Sequence, residues 1–319
     1  MAENAQLSNA PEGVANEAET AILSSMPTES ASASSNTAAD VQAQVQAAKP
    51  LPTANLTATH PSDAYRIEDL VPNGLSTLHD LPGVQEWQEA VLAGRSVTTT
   101  SRYVARRVEP VVKSGNVTHI QLLRFIFLLI EFIRSLRAPG RGPSTTGPGG
   151  KRLPPRDDLR HILSSLTGST PSKKKPAPPA TTGTRTVPDS IINAICGRFV
   201  PNGGSNLSKN DVILLHTTLC ALSLHIPPLP AADGGSSSQG GNSPNELATD
   251  PSDLRDDLRL GNTTILQYFR ELGCRVDKPR EAEFAKWGIK GGKAEAASKR
   301  VARLRIPLQF PKMSRGGPR

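Results

Sequence analysis

Apolar residues in this chain recur at helical spacing in short runs, separated by stretches in which they nearly vanish. The first runs are Tyr65–Leu70 and Leu81–Ala93, the latter carrying Trp87. Ser101–Glu109 places Tyr103, Val104, Arg107 and Val108 on one helical face, and Pro110 is expected to end it. Asn116 can cap a helix over Val117–Leu136 that is apolar nearly all round, its polar stripe being Gln121, Arg124, Glu131 and Ser135. That segment predicts a central buried helix. Arg156–Leu166 is amphipathic, and Val187–Val200 carries Pro188 in its first turn with Ile191, Ile192, Ile195 and Phe199 on one face. This group is compatible with a helix-turn-helix core.

A second group follows the same plan. Leu207–Ile226 reads as a helix capped by Ser208, and Asp250 can cap another from Pro251 to about Leu258. A tight turn at Leu260–Gly261–Asn262 leads into Thr263–Leu272, which should bury Ile265, Leu266, Phe269 and Leu272. Thr264, Gln267, Tyr268 and Glu271 are then expected to face outward, where such a helix meets a groove. Gly273 suits the helix end, and a strand can begin at Cys274–Asp277. Val301–Leu308 alternates, with Ala302, Leu304, Ile306 and Leu308 inward, Arg303 and Arg305 outward, and Pro307 assigning it to a sheet edge. Helix, helix, turn, helix, strand, strand is the order of a winged helix, with Glu281–Arg300 decorating the wing.

The intervening stretches Ala138–Pro155, Gly168–Thr186 and Pro227–Asn245 are rich in Pro, Gly, Ser or Thr and read as surface loops. Met1–Ala64 has no aromatic residue and is dominated by small and polar side chains, so it is expected to be a disordered leader.

Charge is distributed unevenly. The leader carries seven acids against Lys49, whereas Lys278–Arg319 carries twelve Lys or Arg against three Glu. A basic tail on a balanced body points to a polyanion, and the phosphate-contact candidates are Lys278, Arg280, Lys286, Lys299, Arg300, Arg303, Arg305, Lys312 and Arg315, with Arg319 at the end. Thr264, Gln267 and Tyr268 complete the candidate surface. With no Lys or Arg centred on their face, sequence-nonspecific contact with duplex DNA fits better than base reading. Lys173–Lys175 suits either a nuclear-localisation element or a solubilising loop.

Catalytic chemistry has little foothold. The chain lacks a phosphate-binding G-x-x-x-x-G-K-[ST] loop, a G-x-S-x-G elbow and an H-E-x-x-H helix. His216 and His225 lie nine apart on different faces of one helix and read as ordinary helix residues. Asp157–Asp158 and the echo Asp256–Asp257 read as exposed helix faces. Cys196, Cys220 and Cys274 are too widely spaced for a CxxC metal site and suit reduced thiols. No cofactor, metal or small-molecule substrate is expected. Ile120–Leu136 is too short and too charged to span a bilayer.

The segment GNTTILQYFRELGCRVDKPR over Gly261–Arg280 resembles the A-forty-nine family, the larger subunit of the TFIIF-like heterodimer of RNA polymerase I. So do Trp287–Ile289 and the closing Ala302–Arg319, and the earlier stretches Leu81–Ala93, Ser101–Val112 and Val117–Leu136 are also similar to fungal members. The resemblance implies tandem winged-helix domains that bind DNA near the polymerase cleft. It also implies a non-catalytic role beside other polymerase I subunits, in initiation and elongation of ribosomal RNA synthesis in the nucleus and nucleolus. The expected architecture is therefore mainly α with small β wings: a leader over 1–64, a first winged helix over 65–202 and a second over 203–319. Family members usually begin with a β-barrel dimerisation domain. Nothing in Met1–Ala64 alternates like strands, so this chain is not expected to pair with the smaller subunit through a barrel. A free-standing winged-helix transcription or chromatin factor, and a module that docks only on protein, are the alternatives.

Overall fold

A computed structural model of the chain describes residues 44–45, 48–139, 149–165, 186–228 and 245–311. Pro50–Arg319 forms one compact unit. The expected leader therefore ends earlier than Ala64. Ala58 and Ala64 are buried, and Asn55 N–H donates to Ala64 O at 2.8 Å. The physical reason lies downstream: Tyr65 donates its hydroxyl to Leu272 O, and His225 Nε2 meets Tyr65 O at 2.7 Å. A stretch too polar to make a core of its own is thus held by one built elsewhere.

Four short helices come first: α1 (Pro61–Ala64), α2 (Ile67–Leu70), α3 (Leu75–His79) and α4 (Val84–Leu92). Next, α5 (Arg102–Lys113) runs straight through Pro110. The expected stop fails because Val111 and Val112, just past the proline, are buried in the core. Their burial outweighs the one helix hydrogen bond that proline forfeits. Asn116 caps α6 (Val117–Ser135) by accepting the His119 N–H. This helix buries Phe125, Ile126, Leu129 and Phe132 completely and packs against α4, α5 and α3.

The first half closes with β1 (Lys151–Arg152), α7 (Arg156–Ser165), α8 (Asp189–Phe199) and β2 (Asn206–Leu207), β1 and β2 pairing antiparallel. The second half is α9 (Lys209–Leu224), β3 (Leu247–Thr249), α10 (Pro251–Leu258), α11 (Asn262–Glu271), β4 (Arg275–Asp277), α12 (Gly292–Ser298) and β5 (Val301–Leu304). Ser208 and Asp211 form a capping box at the start of α9, and Asp250 caps α10 through the Ser252 N–H.

Strands β3, β5 and β4 form an antiparallel sheet in that spatial order, so β5 is the central strand. The expected edge position and the alternation of Arg303 outward both fail here. All four β5 residues are buried, because the neighbouring elements cover both faces of the strand. Pro307 lies beyond the strand end and leaves the ladder intact. Strand β3 itself has no period-2 signal in three residues and was not anticipated.

One continuous apolar core runs from Ala58 to Leu304 and joins the two halves, since α6 packs on α9 and on α10. A smaller cluster of Ala248, Trp287, Ile289, Ala296 and Val301 sits beneath the α12 segment.

Candidate nucleic-acid interface

Helix α10, a turn and helix α11 form the element from which the outward surface is built. Arg259 ends α10 in the left-handed region at φ 54°, and Gly261 precedes α11 in extended conformation. Helix α11 buries Ile265, Leu266 and Phe269, as the spacing predicts. Its exposed residues are Asn262, Thr263, Gln267 and Arg270. Thr264 and Tyr268 are only half exposed. The outward face is therefore turned from the expected one. The cause is α9, whose His216 ring lies 5.9 Å from the Tyr268 ring. Burial pushes the Tyr268 hydroxyl up to about 12. Gln267 remains outward, its amide donating to Glu271 Oε1 at 2.6 Å.

This rotation brings forward two cations that the sequence reading passed over. Arg259 and Arg270 are exposed, and among the described residues their guanidinium groups make no hydrogen bond or ion pair. Arg270 follows Gln267 by three and Thr263 by seven residues, so all three share one face. The i, i+3, i+7 relation is a signal in the sequence; what hid it was the assumption that Tyr268 pointed to solvent.

The basic positions of the wing divide into distinct groups. Lys278 and Arg280 are exposed beside β4. Arg303 is not on the surface. Its guanidinium is buried and donates to Glu246 Oε1 and Glu283 Oε2, each at 2.7 Å. Arg305 is exposed yet donates to the same Glu246 carboxylate. A guanidinium so held has its charge answered within the fold and is poorly placed to displace counterions. Arg300 turns its Nη1 back onto the carbonyls of Ala297 and Lys299. Lys299 reaches Trp287 O at 3.1 Å and Glu295 at 3.5 Å, while Lys286 lies 5.6 Å over the Trp287 ring. Lys312, Arg315 and Arg319, like Lys173–Lys175, lie outside the described residues.

The acidic echo differs from its expected exposure. Asp157 and Asp158 are exposed, but Asp257 is buried and accepts from Ser101 Oγ, the Arg102 and Tyr103 N–H groups and Arg134 Nη2. Asp253 is equally buried and binds both Arg106 and Arg107. These contacts fasten α10 to the start and middle of α5. His216 and His225 are buried helix residues, and burial lowers the His216 imidazole to about 4. No group of three metal-ligating side chains is gathered among the described residues, and no helix among them is long and apolar enough to cross a membrane.

A family model described as A49-like RNA polymerase I associated factor matches residues 2–311. The chain is 24% identical over 283 residues to the DNA-directed RNA polymerase I subunit rpa49 of Schizosaccharomyces pombe, an alignment covering 87% of this chain and 54% of that protein. To the DNA-directed RNA polymerase I subunit RPA49 of Saccharomyces cerevisiae it is 21% identical over 283 residues, covering 84% of this chain and 54% of that one. The chain thus spans about half the length of the curated relatives it matches. With the family model spanning nearly all of the sequence, this chain belongs to the A49-like RNA polymerase I associated factor family.

Proposed function

We propose that the chain is a non-catalytic subunit of RNA polymerase I that holds duplex DNA by its phosphates and supports initiation and elongation of ribosomal RNA in the nucleolus. The observation that carries this reading is the exposed face of α11, where Thr263, Gln267 and Arg270 stand beside Arg259 with both arginines unpaired among the described residues. The order α9, β3, α10, α11, β4, β5 with sheet order β3-β5-β4 supports reading this half as a winged helix. The succession α6, β1, α7, α8, β2 supports a reduced version of the same plan in the first half, giving a tandem pair with a shared core. The names of the fungal relatives supply the polymerase context.

On this reading Arg259, Arg270, Lys278 and Arg280 carry the phosphate contacts, while Arg303 supports the sheet. The test is binding of the full chain to random-sequence duplex DNA across a salt series, beside an Arg259→Ala/Arg270→Ala variant. The expected result is steep salt dependence whose log–log slope shrinks by about 1.8 in the variant, at roughly 0.9 per phosphate released. Absence of salt-sensitive binding transfers the role of this surface to docking on protein.

A further inference from the structure

We infer that the cavity between α5, the start of α10 and the segment from Lys286 to Lys299 is a seat for one phosphate-type oxyanion. The cavity holds about 40 Å³. That is room for roughly three water-sized spheres, so a small inorganic anion fits and a base or sugar does not.

Its lining is cationic. Arg106 and Arg107 enter from α5 and Lys286 and Lys299 from the opposite wall, against the carboxylates of Asp250 and Asp253. Both carboxylates are already engaged: Asp253 with the two arginines, Asp250 with the Ser252 N–H that it caps. Lys299 is partly engaged by Glu295, but Lys286 makes no hydrogen bond or ion pair among the described residues. Charge in the cavity therefore favours an anion.

The hydrogen-bonding pattern points the same way. Trp287 Nε1 and Arg107 Nε are buried and have no acceptor, although both residues line this one cavity. Leaving buried donors unmet is costly, and both unmet groups are donors. An indole N–H cannot accept, nor can a guanidinium, so the complement must be rich in acceptors. A tetrahedral oxyanion can meet donors arriving from two walls at once and carries the charge that Lys286 and Arg106 complement.

The chemistry is common to a free phosphate ion and to a phosphodiester of nucleic acid, and the seat does not depend on the role proposed for α11. The chain has two tryptophans, so in a Trp87→Phe background Trp287 supplies the single indole N–H signal. That signal is followed by nitrogen–proton NMR while inorganic phosphate is titrated into the full chain at constant ionic strength. A saturable shift is expected, with Lys286→Gln weakening the affinity at least about tenfold and Lys113→Gln leaving it unchanged. No saturable shift at millimolar phosphate, or the same response to chloride, overturns the proposal and leaves a water-filled cavity. A second measurement, phosphorus linewidth of phosphate with Trp287→Phe, should show weakened binding; binding equal to the parent also overturns it.

Duplex DNA separates the two sources. If Lys286→Gln lowers the salt slope by about one, the seat takes a phosphodiester. If inorganic phosphate binds and the slope is unchanged, the seat takes free phosphate. Because the α11 variant tests a different surface, loss of either result leaves the other standing.

Discussion

The carboxylate of Asp257 accepts the backbone N–H of Tyr103 at 2.9 Å, across 154 residues of sequence. The same carboxylate takes the Arg102 N–H at 2.9 Å, so it sits on the first turn of α5 as an external helix cap. An acidic group there satisfies donors that the helix cannot, and it complements the positive end of the helix dipole. Arg134 from α6 closes the arrangement, donating Nη2 to the Asp257 carboxylate at 2.8 Å and Nε to the Asp257 carbonyl at 3.0 Å. One residue therefore joins α5, α6 and α10, which is how the two halves come to share a single core.

Replacing Asp257 with Ala strands those donors and leaves Arg134 without its carboxylate. The expected cost is ~3–5 kcal/mol, the range for breaking a buried ion pair. Urea unfolding should show a lower midpoint with little change in slope. A double-mutant cycle with Arg134→Met should be strongly non-additive; simple additivity would refute the shared-cap account.

His216 gives a pH dependence of known sign. Its imidazole is lowered to about 4, chiefly by burial and secondarily by the charge of Lys151. The unfolded chain takes up this proton near 6.5, whereas the folded chain resists it until about pH 4. Its contribution is fully present above pH 6.5, declines as pH falls toward 4, and then levels off. Its size is on the order of 3 kcal/mol. His225, also lowered by burial, adds in the same direction. His216→Phe should flatten the midpoint-versus-pH curve between those values, and an unchanged curve would count against this assignment.

Gly83 stands at φ 85° directly before α4, and a Cβ placed on it would lie 2.8 Å from Arg124 Nη2. Arg124 stacks on the Trp87 ring at 4.8 Å and donates Nε to Pro82 O at 3.0 Å, so it has little freedom to withdraw. Gly83→Ala combines the left-handed strain with this contact. A loss of about 1–3 kcal/mol is expected in thermal or denaturant unfolding.

Arg303 and Arg270 should separate stability from binding. Arg303→Ala leaves Glu246 and Glu283 without their shared partner and is expected to cost ~3–5 kcal/mol while leaving the DNA salt slope of the folded protein unchanged. Arg270→Ala is expected to change stability by less than about 0.5 kcal/mol and to lower the slope by about 0.9. The reverse pattern would return Arg303 to the contact surface.

Much of the helical plan was legible because its causes are local. The buried stripe of α6, the caps at Asn116, Ser208 and Asp250, and the inward set Ile265, Leu266 and Phe269 each depend on residues within a turn or two of one another. The extent of α5 was not legible, since the burial of Val111 and Val112 beyond Pro110 is decided by what packs on them. The three-residue strand β3 was too short to show a period, and the central place of β5 depended on it.

The candidate site divides along the same line. The sequence by itself determined that cations are concentrated toward the C-terminal end and which residues of α11 are apolar. Only the tertiary structure decided which charges remain available. Glu246 reaches Arg303 from 57 positions away, Asp253 reaches Arg107 from 146, and the His216 ring turns Tyr268 inward. Periodicity reports whether a side chain is apolar; whether a charge meets water or a buried counter-charge depends on partners that only folding brings within a few ångströms.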